Sequence, residues 1–331
     1  MIKLKKIITF LCFITYVFCV DKTGTTSAKF LSIGVGSKAI GMGGAFTSIA
    51  DDATAMYWNP AGISFNNTKE VYFNHANWIA DISFDYFGVT IPINDKSVLG
   101  FNITSVTMDE MEVTRYANEN TGETFKAADY AIGSTYSFSL TDRFSFGINA
   151  KFIQQNIANS KASGFALDFG TLFSTPFGFR LGTSISNFGP KLKMQGDDLL
   201  ISADVNQNIE GNNESVTGLL STDYFDLPLV LRIGVSDEFK ISSRSNIVLS
   251  MDAISPNDNA NYLNIGGEIN FFNGLIFLFG GMNSLLLEDK ESEFSFGGGL
   301  RLPNNALSIN FTHEQMKFLG NSQQISISVS Y

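Results

Sequence analysis

The stretch Asp129-Tyr130-Ala131-Ile132-Gly133-Ser134-Thr135-Tyr136-Ser137-Phe138-Ser139-Leu140 alternates without a break. Tyr130, Ile132, Ser134, Tyr136, Phe138 and Leu140 fall on one side, and Asp129, Ala131, Gly133, Thr135, Ser137 and Ser139 on the other. Successive side chains of a β-strand point to opposite faces, so this is a strand with one apolar face and one small, polar face. The next segment sets Phe144, Phe146, Ile148, Ala150 and Phe152 against Ser145, Gly147, Asn149 and Lys151. The period recurs at Phe165, Leu167, Phe169; at Leu229, Leu231, Ile233, Val235; and at Leu263, Ile265, Gly267, Ile269, Phe271. Near the end it returns at Phe294, Phe296, Gly298, Leu300, Leu302 and at Leu307, Ile309, Phe311. Each ten-residue segment is a weak signal; the series is a strong one.

The second face carries Lys151, Asp168, Arg232, Asn264, Glu268, Arg301 and Asn310, with Gly and Ser between them. A two-sheet sandwich in water would show the same alternation with the phenylalanines turned inward. The aromatic weight, the Gly-rich polar faces and the regular turns favour the opposite arrangement, with the phenylalanines facing lipid and the polar residues facing a lumen. About fourteen strands fit between Glu70 and Tyr331, an even count as in bacterial barrels. The reading is an all-β, transmembrane antiparallel β-barrel.

Taking the strands as antiparallel neighbours gives a parity. Tight connections at Ile93–Lys96, Leu140–Arg143, Phe272–Gly274 and Pro303–Asn305 follow even-numbered strands, with Asn, Asp, Gly or Pro turn chemistry. Longer ones at Val106–Ala127, Asn156–Ser163, Phe188–Asp226 and Ser284–Glu293 follow odd-numbered strands. Short periplasmic turns and long extracellular loops are the outer-membrane pattern. One exception stands, Asp237–Asn246, long on the short side. The last strand alternates Ile325, Ile327, Val329 and Tyr331 with Ser326, Ser328 and Ser330, and the chain stops on the aromatic, as outer-membrane barrels commonly do.

Composition agrees. Of 331 residues only 16% are charged, 31 are Phe and 30 are Gly. Lys3, Lys5 and Lys6 precede an apolar run from Ile7 to Val20, too short to span a membrane and laid out as a secretory signal peptide. A cut after Cys19 fits loosely; lipidation of Cys19 is the rival, although Val17-Phe18 lack the small residue usual before such a cysteine. Both cysteines, Cys12 and Cys19, lie in this leader, so the mature chain is expected to hold no disulfide or thiolate metal site. Losing three lysines takes the formal charge from −10 to −13, which argues against nucleic-acid binding.

The stretch Ser27–Ser64 does not alternate. Gly34-Val35-Gly36-Ser37-Lys38-Ala39 formally fits a dinucleotide fingerprint, but no strand–helix–strand pattern surrounds it. Asp52 is placed to cap a short helix over Ala53–Trp58, which Asn59-Pro60 ends. Its small residues suit close packing, and the segment is expected to occupy the lumen as a plug. The division is then 1–20 signal peptide, 21–68 plug and 69–331 barrel.

No catalytic group assembles in this reading. His75 and His313 are far apart, on separate strands, and no nucleophile is placed beside either. Asn257-Asp258-Asn259 and Asn261 offer oxygen ligands but read as a turn. Neither an enzyme, nor a cofactor, nor a metal is indicated.

Three blocks carry a resemblance to a known family. They are Phe30-Leu31-Ser32-Ile33-Gly34, then Ser37-Lys38-Ala39-Ile40-Gly41-Met42-Gly43-Gly44-Ala45-Phe46, then Ala50-Asp51-Asp52-Ala53-Thr54-Ala55-Met56-Tyr57-Trp58-Asn59-Pro60-Ala61-Gly62. They resemble the opening of PorV/PorQ family proteins of the FadL-like outer-membrane superfamily, as do Asn187-Phe188-Gly189-Pro190-Lys191 and Asp226-Leu227-Pro228. Lys38 stands where relatives often have Arg. The resemblance implies a fourteen-stranded barrel with an internal N-terminal segment. It also implies a role in type IX secretion, with cargo proteins or other components of that system as partners alongside outer-membrane lipid. By the same resemblance Gly41–Ala45, Asp51, Asp52 and Trp58–Gly62 form the plug motif. FadL-type diffusion of fatty acids or other hydrophobic small molecules is the alternative. The shortness of most outer loops, where Leu285-Leu286-Leu287 is the main apolar patch, favours the secretion role.

Overall fold

The computed structural model describes residues 23–331 apart from 66–67, 117–120, 205–214, 289 and 303–306. The expected leader, with Cys12 and Cys19, and the Pro303–Asn305 turn therefore lie outside the described residues. Fourteen antiparallel strands close into a barrel in which each strand pairs with its neighbours in sequence and the first pairs with the last. They are β1 (Glu70–Asn77), β2 (Ser83–Asn94), β3 (Ser97–Thr107), β4 (Ala127–Thr141), β5 (Phe144–Ile157), β6 (Ser160–Ser174) and β7 (Arg180–Phe188). The second half comprises β8 (Val230–Ser242), β9 (Ser245–Pro256), β10 (Tyr262–Phe271), β11 (Ile276–Leu285), β12 (Ser292–Arg301), β13 (Leu307–Met316) and β14 (Asn321–Ser330). Pairing of β1 with β14, from Glu70 opposite Ser330 to Asn77 opposite Gln323, completes the cylinder. No sheet edge is left along this ladder, which a hydrocarbon surrounding requires.

The phenylalanine-bearing faces point outward. Phe165 is 66% exposed and Ile132 54%, whereas their strand neighbours Ala166 and Ala131 are buried. Phe73, Phe87, Phe101, Phe296 and Phe311 are exposed in the same way, a ring of apolar side chains that only lipid can cover at low cost. A dry interior holding these rings is thereby excluded. The apolar core lies instead in the lumen, where Val35, Ala39, Met42, Phe46 and Trp58 pack against Tyr72, Phe84, Tyr86, Phe277 and Phe279 of the wall. Strand β11 thus departs from the apolar-out, polar-in pattern, because Phe277 and Phe279 face the N-terminal segment while Leu278 faces out.

Two expectations about connections are corrected. Asn156–Ser163 is not a long loop: β5 and β6 run on and join through Ala158-Asn159, with Ala158 at φ 49°. Asp237–Asn246 is not long either, since β8 and β9 continue to a tight turn at Ser243-Arg244. The second correction removes the exception to the parity. Both arise because apolar alternation reports only contact with lipid. Past the bilayer both faces of a strand are wet, and the ladder continues without the pattern.

The connections 108–126 and 189–229 each contain a short hairpin, Met111–Glu112 with Thr124–Phe125 and Leu200–Ala203 with Val216–Leu219. The end carrying these connections is the outer end by the asymmetry of such barrels.

Candidate functional site: the lumen

The N-terminal segment enters at the outer end. There Ser27 N donates to the carbonyl of Asp226 at 2.8 Å, and Lys29 pairs with Asp258 at 2.6 Å. The Asn/Asp turn considered for oxygen ligands thus ties down the start of the segment, and Asp258 also accepts from the Thr26 hydroxyl at 2.6 Å. Four short helical pieces make up the segment: a 3₁₀ turn over Lys29–Ser32, α1 (Ser37–Gly41), α2 (Ala55–Trp58) and a 3₁₀ turn over Pro60–Ser64. The chain then leaves toward β1 at the periplasmic end.

Asp52 accepts from the backbone N–H of Thr54 at 2.9 Å and from its hydroxyl, so it caps the turn leading into α2, which starts two residues later than expected. Asn59 stops α2 in an extended conformation and accepts from Ala61 N at 3.2 Å, capping the next turn with Pro60 in its first position. The formal dinucleotide fingerprint ends in α1, a five-residue helix that packs on β12 and β13 rather than following a strand.

The wall makes room for this backbone with glycine. A Cβ at Gly266 or Gly281 would collide with the main chain of Met42, and one at Gly147 with that of Pro60. Gly43 and Gly44 turn the chain at φ 65° and 70°, a conformation side-chain-bearing residues resist. Ser295 Oγ donates to Ile40 O at 2.6 Å and accepts from Gly43 N at 3.1 Å. On β9, Asp252 accepts from Phe46 N at 3.0 Å and Thr47 N at 2.8 Å. Ala45 and Ala61 are fully buried. Asn59 Nδ2 reaches Thr47 O at 2.8 Å and Thr171 O at 3.0 Å, and Trp58 Nε1 donates to Val35 O at 2.8 Å.

The charged residues expected on the lumen face all project inward and find different partners. Lys151 pairs with Asp168 at 2.9 Å, and Asp168 accepts from Asn187 N at 2.7 Å and Asn149 Nδ2 at 2.9 Å. Arg232 lies over the rings of both Tyr57 and Trp58 at 5.5 Å and donates to Ser186 Oγ at 2.9 Å. Burial pushes the Tyr57 hydroxyl up to about 12, against the pull of Arg232, so it stays neutral. Glu268 pairs with Lys38 at 2.7 Å. Burial opposes the Lys38 ammonium, but Glu268 and Asp51 outweigh it and hold its pKa above the ordinary lysine value. Arg301 lies over Phe277 at 5.4 Å.

Two cavities flank the segment. The outer one, about 480 Å³, is bordered by Phe30, Ile33, Trp58, Trp78, Ile79 and Tyr262, with Lys29, Arg232 and Glu314 as charged groups. The periplasmic-side one, about 680 Å³, is polar and bordered by Lys38, Asp51, Arg180, Glu268 and Arg301. Ile40 borders the first and Lys38 the second, so α1 separates them. The contacts of Asp252 and Ser295 with the segment, each spanning more than 200 residues, carry no signal in the sequence.

His75 and His313 sit on the outward faces of β1 and β13. His75 Nδ1 is 2.8 Å from Asp85, and the His313 ring lies 5.4 Å from that of Phe296. Among the described residues no group of three or more His, Cys, Asp or Glu could hold a metal ion.

Outside the membrane, Asp198 fastens the 189–229 connection to the β5–β6 turn, accepting from Asn159 N at 2.7 Å and Nδ2 at 3.0 Å. These bonds hold its carboxyl below the usual range. Leu200, Ile201, Leu219 and Leu220 are exposed here, against Leu286 alone among Leu285–Leu287.

Solved structures with the same fold are outer-membrane channels. The chain covers 90% of its length and 98% of the CymD monoaromatic hydrocarbon channel at TM-score 0.60 and 12% identity. For a Pseudomonas aeruginosa FadL homologue the values are 94%, 99%, 0.55 and 12%. For the Pseudomonas putida toluene transporter TodX they are 90%, 97%, 0.56 and 12%. At such identities the likeness concerns the fold. No curated protein matches the sequence. The family model described as type IX secretion system protein PorV matches residues 20–209, more than half of the chain, and spans the whole N-terminal segment with the first seven strands; the chain belongs to the PorV family.

Proposed function

We propose that the protein is a non-enzymatic component of type IX secretion that handles cargo at the outer face of the outer membrane. In this reading a secretory leader delivers it, and residues 27–64 form a plug that keeps the barrel closed. The partner-binding surface is the 189–229 connection. The observation that carries the reading is the fastening of that connection by Asp198 above an occupied lumen, with Leu200, Ile201, Leu219 and Leu220 left exposed. Exposed apolar side chains on an outer loop suit a partner surface. In the native host, replacing Leu200, Ile201, Leu219 and Leu220 with Ser should leave barrel assembly intact and strand type IX cargo in the cell. Normal secretion by that variant would defeat the proposal.

The outer cavity supports a second reading, passive transport of hydrophobic small molecules. Its aromatic and aliphatic lining with one buried guanidinium suits an amphipathic ligand. Uptake of labelled fatty acid into liposomes, abolished or altered by deleting Ser27–Ser64, would favour it; no uptake above empty liposomes would remove it.

A further inference from the structure

Two amide side chains lie in the lumen without a partner. Asn74 on β1 and Gln324 on β14 are 0% and 1% exposed, and among the described residues neither amide nitrogen nor amide oxygen of either has a hydrogen bond. They are close neighbours, since Asn74 pairs with Ser326 and Ala76 with Gln324. Ala76, beside them on β1, offers no polar side-chain atom to either. The hydroxyl of Ser37 on α1 is also buried and unpartnered. Its carbonyl accepts from the hydroxyl of Thr312, the residue that pairs with Gln324 across β13 and β14. Unsatisfied polar atoms thus converge on one place from the plug and from two strands. An amide can donate two hydrogen bonds and accept two. Native proteins rarely bury one unbonded, and ordered water is the usual partner where protein supplies none.

The place lies on a polar ribbon. The inward residues of β13, from Ser308 to Glu314, and those of β14, from Ser322 to Ser328, include no apolar side chain. The ribbon reaches both cavities: Glu314 borders the outer one, and Ser308 pairs with Arg301, which borders the other. Two strands from β13 the contrast is sharp, because β11 meets the plug with Phe277 and Phe279.

We propose that the seam between the plug and the β13–β14–β1 wall is hydrated and passes water between the two cavities while the plug stays seated. Asn74 and Gln324, fully buried, form its constriction. Their two neutral amides can replace the bonds of a passing water molecule but are too few to replace the hydration shell of an ion, so the seam favours water over ions.

The test is an osmotic jump on lipid vesicles holding the purified full-length protein, with shrinkage followed by light scattering. Vesicles with the wild type should shrink several-fold faster than protein-free ones. The double variant Asn74→Leu/Gln324→Leu should return the rate to that of protein-free vesicles, with heat-modifiable gel mobility confirming its fold. Should it not fold, Ser326→Val, which dries the seam without touching either amide, should give an intermediate rate. A wild type no faster than empty vesicles, or a folded variant as fast as the wild type, overturns the proposal.

Discussion

The ammonium of Lys38, on the first helix of the N-terminal segment, lies 2.7 Å from the carboxylate of Glu268 on the barrel wall, and both side chains are largely buried. Removing one partner of such a pair leaves the other charged in a dry place, at a cost of about 3–5 kcal/mol. Lys38→Met should therefore loosen the segment by that order. The double variant Lys38→Met/Glu268→Gln should recover most of the loss. Protease protection of residues 23–65 across a denaturant series reads both, and a double variant as weak as the single one would show that the pair does not act as a unit.

Asp52 gives the segment a pH dependence. Burial is the chief cause holding its carboxyl above the ordinary aspartate value of 3.8, with Asp51 adding to it and the Thr54 hydrogen bonds and Lys38 pulling the other way. The folded state thus binds this proton more readily than the unfolded one. Its contribution favours folding at low pH and is lost as pH rises from the ordinary value to the raised one. Wild-type protein should hold the segment more firmly in mild acid than at neutral pH, and Asp52→Asn should flatten that difference. An unchanged pH profile in the variant would assign the effect elsewhere.

Glycine positions distinguish the two faces of the same strand. Gly281 faces in, where a side chain would collide with Met42, whereas Gly280 faces out, where a Cβ would meet only Ser295 O at 3.7 Å. Gly281→Val should cost about 1–3 kcal/mol through overpacking and displace the Gly41–Ala45 turn. Gly280→Ala should be close to neutral. Thermal unfolding in detergent measures both, and equal effects would refute the assigned facing.

Most of the barrel was legible in the sequence because lipid imposes the same period of two on every strand that crosses it. Tyr130–Leu140 and Phe144–Phe152 show it without a gap, and both occupy the expected strands with the expected side outward. Legibility failed where lipid ends. Gln154, Gln155 and Asn156 continue β5 to its turn with polar residues on both faces, so the same stretch reads as loop. Phe277 and Phe279 broke the pattern for the opposite reason, since their inward face meets the apolar N-terminal segment instead of a polar lumen. Inward charges could be named from their faces, but not their partners. Nothing near Lys38 in sequence points to Glu268, and nothing near Phe46 points to Asp252. Asn74 and Gln324 passed as ordinary wall residues, because only the packed N-terminal segment shows that, among the described residues, nothing bonds to them.

The arrangement as a whole rests on which side of each strand meets hydrocarbon. Both cysteines of the chain lie within its first twenty residues, at Cys12 and Cys19, so single cysteines can be introduced and spin-labelled cleanly in protein lacking those residues. Labels at Ile132, Phe152, Ile265 and Phe311 in lipid bilayers should relax strongly with oxygen and weakly with a water-soluble nickel chelate. Labels at Ala131, Ala166 and Ser326 should be shielded from oxygen. Outward positions that respond to the nickel chelate, with inward ones responding to oxygen, would contradict the account at its root.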